Sequence, residues 1–215
     1  GLFFIVSIAE ILAVSLGWTE VHYVAKSLIM LSLIGYYMST VKGRRNGHFV
    51  RAMFFCWAGD VVLLMQNNAE TFFMLGLFAF LLGHLQYIYA YRQLQWTDPA
   101  PIATRTKVLV VLPIYLIGGI LILLLYPGLG SLMVPVLIYS LVLVVMVQTA
   151  VYRYRRTGPD SFGLVFAGAG LFMLSDSLLA VNKFYAPFAG AASFIMLTYI
   201  LGQYLIVEGV VRHKM

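Results

Sequence analysis

The chain has 215 residues, of which 62% are hydrophobic and only 10% are charged, and its formal net charge at pH 7 is +6. A soluble domain carries roughly 25% charged residues, so this composition excludes an ordinary soluble fold and indicates a polytopic membrane protein. The apolar runs are continuous rather than alternating, and they therefore favour membrane-spanning helices over a β-barrel. The single cysteine, Cys56, excludes an intrachain disulfide and a cysteine-based metal site.

Eight apolar segments, each close to the ~20 residues that cross a hydrocarbon core, are predicted to form transmembrane helices. In chain order they cover residues 1–17, 23–41, 48–66, 70–91, 107–126, 129–152, 161–181 and 187–211. The connection after the fifth segment is little more than Pro127-Gly128, a helix-breaking pair. We expect one all-α transmembrane domain over residues 1–215, without a cleavable signal peptide, because the first segment lacks a basic leader.

The lysine and arginine residues are sorted between alternate connections. The connections after the second, fourth and sixth spans, with the C-terminus, hold Lys42, Arg44, Arg45, Arg51, Arg92, Arg105, Lys107, Arg153, Arg155, Arg156, Arg212 and Lys214. Only Lys26 and Lys183 lie toward the opposite side. The positive-inside rule then predicts that these connections and both termini are cytoplasmic, so topology explains the positive charge better than binding of nucleic acid.

Two aspartates lie deep inside apolar segments, Asp60 in FFCWAGDVVLL and Asp176 in LFMLSDSLLAV. A charged side chain at the bilayer centre costs roughly 3 to more than 10 kcal/mol. Such residues must therefore be neutralised, paired or used in function. A functional role is the first hypothesis, and a structural hydrogen bond or a pairing with Lys26 is the alternative.

The flanks of the two aspartates suggest an internal repeat. The aspartates are 116 residues apart, and the pairs Gly83-His84 and Gly202-Gln203 in the spans that follow are 119 residues apart. The third and fourth spans therefore resemble the seventh and eighth, which predicts a 4+4 parallel repeat about an axis along the membrane normal. A rise of ~1.5 Å per residue from the cytoplasmic ends puts Asp60 at ~18 Å and Asp176 at ~22 Å, in the outer half of the bilayer.

Further polar side chains fall within the spans or at their ends, and we regard them as candidates for substrate binding. They are Lys26, Glu10, His84, Tyr87, Asn182, Tyr199 and Gln203. Structural roles stay open for several of them. A lysine near the boundary, such as Lys26, can snorkel, and His84 can serve as an interhelical hydrogen-bonding residue.

Several familiar chemistries are disfavoured by the sequence. There is no GxSxG motif of a serine lipase, no P-loop and no GxGxxG motif. Zinc hydrolysis needs about three converging ligands, whereas His84 is the only histidine in the middle of a span. We therefore expect neither a metal nor a cofactor.

A set of short motifs, in fixed order along the chain, carries a family resemblance. They are Lys26-Ser27-Leu28, Gly59-Asp60 with Leu63-Leu64, Gly83-His84 with Tyr87, Ser175-Asp176 with Leu178-Leu179-Ala180 and Phe184, and Tyr199 with Gln203, Leu205, Ile206 and Gly209. In these residues, over about positions 23–210, the chain resembles the YhhN family of membrane lysoplasmalogenases. Ser27 departs from the family pattern, which usually has a proline there. Proline favours the start of a helix, so the change affects local helix geometry more than a reactive group.

The resemblance implies hydrolysis of the vinyl ether bond of a lysoplasmalogen to a fatty aldehyde and a glycerophospho-ethanolamine or -choline, in what we expect to be a bacterial inner (cytoplasmic) membrane. It also assigns Asp60 and Asp176 to the active site. Protonation of the alkene needs a positioned acid, and the oxocarbenium ion that forms needs an anion, so one neutral and one ionised Asp would serve. Lys26 is a candidate for the phosphate. Candidates to orient water or the glycerol hydroxyl are His84, Tyr87, Asn182, Tyr199 and Gln203.

Three other interpretations stay open at this point. A parallel repeat with a midplane pair of carboxylates also fits a proton-coupled transporter of a small molecule or lipid. A hydrolase of ester lysophospholipids and a non-catalytic membrane interaction protein are the other two. The expected partners are a lysophospholipid substrate and membrane lipids, and not nucleic acid.

Overall fold

A computed structural model describes residues 1–43, 45–65, 69–96 and 104–213 of the chain. These residues form eight α-helices without a strand. The helices are α1 (Leu2–Leu16), α2 (Thr19–Thr40), α3 (Gly47–Leu63), α4 (Glu70–Gln93), α5 (Thr104–Leu125), α6 (Met133–Val151), α7 (Pro159–Phe184) and α8 (Ala191–Val211). Their bounds differ from those of the predicted spans by at most four residues, as for α8, which begins at Ala191 rather than at 187. Two basic residues of the sequence analysis, Arg44 and Lys214, and the end of the third predicted span lie outside the described residues.

Helices α4 to α8 are each long and apolar enough to cross a membrane. Helix α5 shows the reason for a lipid environment most clearly, because Leu109, Ile120 and Leu123 are 60%, 65% and 75% exposed. Exposure of such a continuous apolar surface to water is unfavourable, so the chain is an integral membrane protein. Helix α1 is apolar but has only 15 residues, and α2 and α3 do not meet both conditions. The count of eight spans therefore stays a prediction.

Consecutive helices run antiparallel, as contacts between their ends show. The Tyr23 hydroxyl at the start of α2 donates to the carbonyl of Leu64, just after α3 (3.2 Å). The Asn46 amide before α3 donates to Gln93 Oε1 at the end of α4 (2.9 Å). We call the end where α1, α3, α5 and α7 terminate the pocket end, and the end where α2, α4, α6 and α8 terminate the basic end.

The basic end holds the lysines and arginines of the described residues except Lys26 and Lys183. The predicted sorting of charge between alternate connections therefore corresponds to a physical separation along the bundle. Which end faces the cytoplasm stays a prediction from the positive-inside rule.

Two helix pairs, α3 with α4 and α7 with α8, pack through glycines. A Cβ atom at Gly83 would lie 3.3 Å from the carbonyl oxygen of Ala52, and one at Gly202 would lie 3.0 Å from that of Gly168. Gly202 follows Gly83 by 119 residues and Gly168 follows Ala52 by 116, the same offsets that suggested the repeat. The corresponding contacts support a repeat of helix pairs, although the 4+4 arrangement itself stays a prediction.

The close approach of α7 and α8 can be tested at two glycines of α7. A Cβ atom at Gly168 would lie 2.7 Å from both the Gly202 oxygen and the Ile206 nitrogen, whereas one at Gly170 would meet nothing within 4 Å. We expect Gly168→Ala to destabilise the protein by about 1–3 kcal/mol, because backbone atoms must separate. Gly170→Ala should be neutral or stabilising, because alanine is the better helix former. Thermal unfolding of both variants in the same detergent measures the difference, and equal midpoints would contradict the packing.

Candidate functional site

A cavity of about 110 Å³ lies in the part of the bundle toward the pocket end, bounded by α2 to α8. Its walls are mostly aliphatic and aromatic side chains, such as Leu63, Phe80 and Leu143. The polar side chains that reach it are Lys26, Asp60, Tyr139, Ser140, Ser175, Asp176, Ser177 and Tyr199. Both aspartates singled out in the sequence therefore face one cavity, as their functional interpretation requires.

Asp60 lies one turn before the end of α3 and is almost completely buried. The hydroxyl of Tyr199 on α8 donates a hydrogen bond to its Oδ2 atom. The ammonium group of Lys26 on α2 lies close enough to act electrostatically on this carboxyl group. Asp60 is thus held by a helix that follows it by more than 130 positions, with a cation from a third helix nearby.

Asp176 lies on α7 and is partly buried. The hydroxyl of Tyr139 on α6 donates to its Oδ2 atom. Sequence reasoning missed Tyr139, and the one signal for it was the pair Tyr139-Ser140, which interrupts the apolar run VPVLIYSLVL. Both residues of that pair line the cavity.

The two carboxyl groups are bound alike. Each accepts a tyrosine hydroxyl at Oδ2, which leaves Oδ1 without a hydrogen bond from another described residue. A phenol can stabilise either protonation state of a carboxyl group through this contact, because its hydroxyl both donates and accepts. Each carboxyl group is therefore fixed through its Oδ2 atom, and its Oδ1 atom can take part in proton transfer.

Of the other candidate residues, Lys26 and Tyr199 line the cavity, and the remaining five are not among its lining residues. Glu10 on α1 is fully buried, and its Oε1 lies 2.9 Å from Nδ1 of His22. Asn182 accepts a hydrogen bond from the backbone of Phe188 (3.3 Å). The structure therefore puts Glu10 and Asn182 in contacts between helices or turns outside the cavity lining.

His84, Tyr87 and Gln203 lie together on the basic-end side of the two carboxyl groups, and all three are fully buried. The Tyr87 hydroxyl donates to Gln203 Oε1 (2.8 Å). The His84 ring packs against Tyr139, with 5.3 Å between ring centroids. These three residues therefore adjoin the site from one side without lining the cavity.

A second lysine lies at the pocket end. Lys183, near the end of α7, is exposed, and its Nζ lies 4.2 Å from the ring centroid of Phe73. Phe73 lines the cavity, so a positive charge is held beside its aromatic wall. Lys26 and Lys183 are the two lysines of the described residues at this end.

The fold and this cavity define an integral membrane protein of the all-helical class with two carboxyl groups at one internal site. The model of the YhhN family matches residues 21–210, and the chain belongs to this family. The resemblance stated from the sequence motifs is therefore confirmed.

Two curated relatives give further context. The chain is similar to lysoplasmalogenase TMEM86A of Homo sapiens, with 29% identity over 164 residues, which are 74% of this chain and 63% of that protein. It is also similar to lysoplasmalogenase TMEM86B of Sus scrofa, with 31% identity over 182 residues, 84% of this chain and 71% of that protein. The chain thus spans less than two thirds of the human relative. No solved structure matches it.

Proposed function

We propose that the protein hydrolyses the vinyl ether bond of a lysoplasmalogen to a fatty aldehyde and a glycerophospho-ethanolamine or -choline. The observation that carries this proposal is the pair of tyrosine-bound carboxyl groups, Asp60 and Asp176, at one apolar cavity. The names of the two relatives support the same substrate class.

The cavity suits a lipid with an anionic headgroup. Its apolar walls provide a surface for the alkenyl chain, and the alkene would lie near the two carboxyl groups. Lys26, on the cavity wall, would contact the phosphate as a point charge. Lys183, beside Phe73, adds positive charge at the same end.

The two carboxyl groups divide the chemistry as an acid and an anion. A protonated Asp176 gives its proton to the alkene carbon, and the ionised Asp60 stabilises the resulting oxocarbenium ion. Water then adds to the cationic carbon and gives a proton to Asp60. Finally, Asp176 takes the hydroxyl proton of the hemiacetal while Asp60 protonates the leaving alkoxide, which releases aldehyde and alcohol and restores both groups.

The assignment of the two roles follows from the surroundings of the aspartates. Each aspartate accepts a tyrosine hydrogen bond, but Lys26 also favours the negative charge of Asp60, an effect that Glu10 opposes more weakly, whereas the charged group that acts on Asp176 is Asp60 itself. Two close carboxyl groups resist simultaneous ionisation. We therefore assign the shared proton to Asp176 in the resting enzyme, as part of the proposal.

The first prediction for the reaction concerns the aspartates themselves. General acid–base catalysis contributes typically 10²–10⁴-fold to a rate, so Asp60→Asn and Asp176→Asn should each lower kcat for aldehyde release from lysoplasmenyl-ethanolamine at least ~100-fold. Both variants should keep the native thermal midpoint within a few degrees, because asparagine can still accept the tyrosine hydrogen bond. Near-normal turnover in either variant would contradict the acid–anion pair.

The same assay separates the competing functions. Release of fatty acid from an ester lysophospholipid, with no aldehyde from the vinyl ether, would indicate an ester hydrolase. Substrate uptake into proteoliposomes without any product would indicate a transporter. Added formate distinguishes the two aspartates: the ratio of the rates with and without formate should fall as pH rises for Asp176→Ala, because the added group must be protonated, but not for Asp60→Ala. The opposite pH dependence would mean that Asp60 is the acid and Asp176 the anion.

The second prediction concerns Tyr139. Its hydrogen bond stabilises the Asp176 anion that forms when the proton leaves, and a bond to a charged group is worth about 1.5–3 kcal/mol. Tyr139→Phe should therefore lower kcat about 10- to 100-fold. Tyr115→Phe is the control, because it also removes a hydroxyl that donates between helices, to Gln148 (2.7 Å), but outside the cavity lining. Equal activity of the two variants would remove Tyr139 from the mechanism.

The third prediction concerns Lys26 and the phosphate. Lys26→Gln should lower kcat/KM for lysoplasmenyl-ethanolamine about 10-fold more than for the 1-alkenylglycerol that lacks phosphate, since ~1.4 kcal/mol of charge attraction corresponds to that factor. Lys107→Gln removes the same charge at the basic end and should leave the ratio unchanged. If Lys26→Gln lowers kcat/KM equally for both substrates, Lys26 acts on Asp60 alone and the phosphate binds elsewhere.

A further inference from the structure

Four buried polar side chains form a column that the cavity does not include. His84, Tyr87 and Tyr91 follow one another along a single face of α4, and Gln203 on α8 accepts the hydrogen bond of Tyr87. All four are fully buried. With a rise of ~1.5 Å per residue, the seven-residue step from His84 to Tyr91 spans about 10 Å along the helix. We call these four residues the polar column.

The polar column has more hydrogen-bonding capacity than the protein satisfies. Both ring nitrogens of His84, the Nε2 of Gln203 and the hydroxyl of Tyr91 have no partner among the described residues. A buried polar group without a partner costs about 1–3 kcal/mol, and hydrocarbon offers no replacement. Buried water molecules commonly satisfy such groups when several converge. Four unpartnered atoms in one column therefore indicate bound water.

One end of the column adjoins the tyrosines that donate to the two carboxyl groups. The His84 ring packs against Tyr139, which donates to Asp176. Gln203 lies one helical turn beyond Tyr199, which donates to Asp60. Water in the column would thus lie behind both tyrosine–aspartate pairs, on the side opposite the pocket end.

The other end of the column reaches buried polar groups at the basic end. The Tyr87 and Tyr91 rings are stacked, with 5.7 Å between centroids. The guanidinium of Arg153 lies 5.9 Å from the Tyr91 ring, and its Nε donates to the carbonyl of Leu94, just after α4. The column therefore continues to the region where α4 and α6 end.

We propose that the polar column holds water and supplies it from the basic end to the two carboxyl groups, an inference that rests on the proposed hydrolysis. Each turnover consumes one water molecule: its oxygen bonds to the oxocarbenium carbon and its proton passes to Asp60. The alkenyl chain would fill the apolar cavity from the pocket end and block water there. A separate polar route removes this conflict, since lipid and water then arrive from opposite ends.

Hydroxyl-radical footprinting by X-ray pulses, read by mass spectrometry, tests this without any substrate. Cys56 is the chain's single cysteine, is fully buried and lies beside Tyr87 and Gln203. We expect oxidation of Cys56 and Tyr91, scaled by the intrinsic reactivity of each residue type, to exceed that of Met30 at least fivefold. Met30 is equally buried, and methionine is readily oxidised, so it reports on a dry interior. Labelling of Cys56 and Tyr91 no greater than that of Met30 would overturn the proposal.

A pair of glutamine variants supplies the second arm. Gln203→Leu should reduce oxidation of Cys56 and Tyr91 to the level of Met30 and should lower kcat at least ~10-fold with KM unchanged, because the column does not touch substrate. Gln148→Leu, on α6 beside Tyr115 and Tyr152, should change neither. Unaltered labelling in Gln203→Leu would contradict a water column. If that variant does not fold, the oxidation of Cys56 and Tyr91 relative to Met30 in the native protein still tests the proposal.

The two proposals fail separately. Footprinting needs no turnover, so a native protein that releases no aldehyde would overturn the proposed function and leave the hydration result standing. Conversely, a native protein that hydrolyses the vinyl ether with a dry column would keep its function and receive its water from the pocket end.

Discussion

Two carboxyl groups inside an apolar membrane protein must each receive a hydrogen bond, and this constraint determines how the helices around the cavity are arranged. Tyr199 ties α8 to Asp60 on α3, and Tyr139 ties α6 to Asp176 on α7. Hydrocarbon provides no alternative donor, so loss of either hydrogen bond would leave a carboxyl group in the protein interior without a partner. The same two hydrogen bonds therefore complete the site and join α3 to α8 and α6 to α7.

The predicted repeat relates the two aspartates to each other, but it does not relate their hydrogen-bond partners. Position 80 corresponds to Tyr199 by the offset of 119 residues, and a phenylalanine stands there. Phe80 cannot donate a hydrogen bond, and Asp176 instead accepts one from Tyr139 on α6, outside the repeated helix pairs. Lys26 adds a cation on the Asp60 side alone. The two carboxyl groups thus have different surroundings, which the proposed roles of acid and anion require.

Polar groups are distributed unequally along the bundle. The cavity toward the pocket end has apolar walls, whereas the column of His84, Tyr87, Tyr91 and Gln203 leads toward the basic end. A lipid substrate and a water molecule differ so much in polarity that one passage would serve both poorly. The separation of apolar and polar interiors on either side of the aspartates is the feature that connects the fold to the proposed hydrolysis.

The sequence alone determined the all-helical class, the helix bounds to within four residues and the two aspartates, because apolar runs of hydrocarbon length and the cost of a buried charge are readable without coordinates. Only the tertiary structure revealed Tyr139 as the partner of Asp176, since a tyrosine in an apolar span reads equally well as packing or as an interface anchor. It also separated His84, Tyr87 and Gln203 from the cavity lining. Both outcomes depend on how each helix is rotated about its axis, which is set by packing against neighbours distant in sequence.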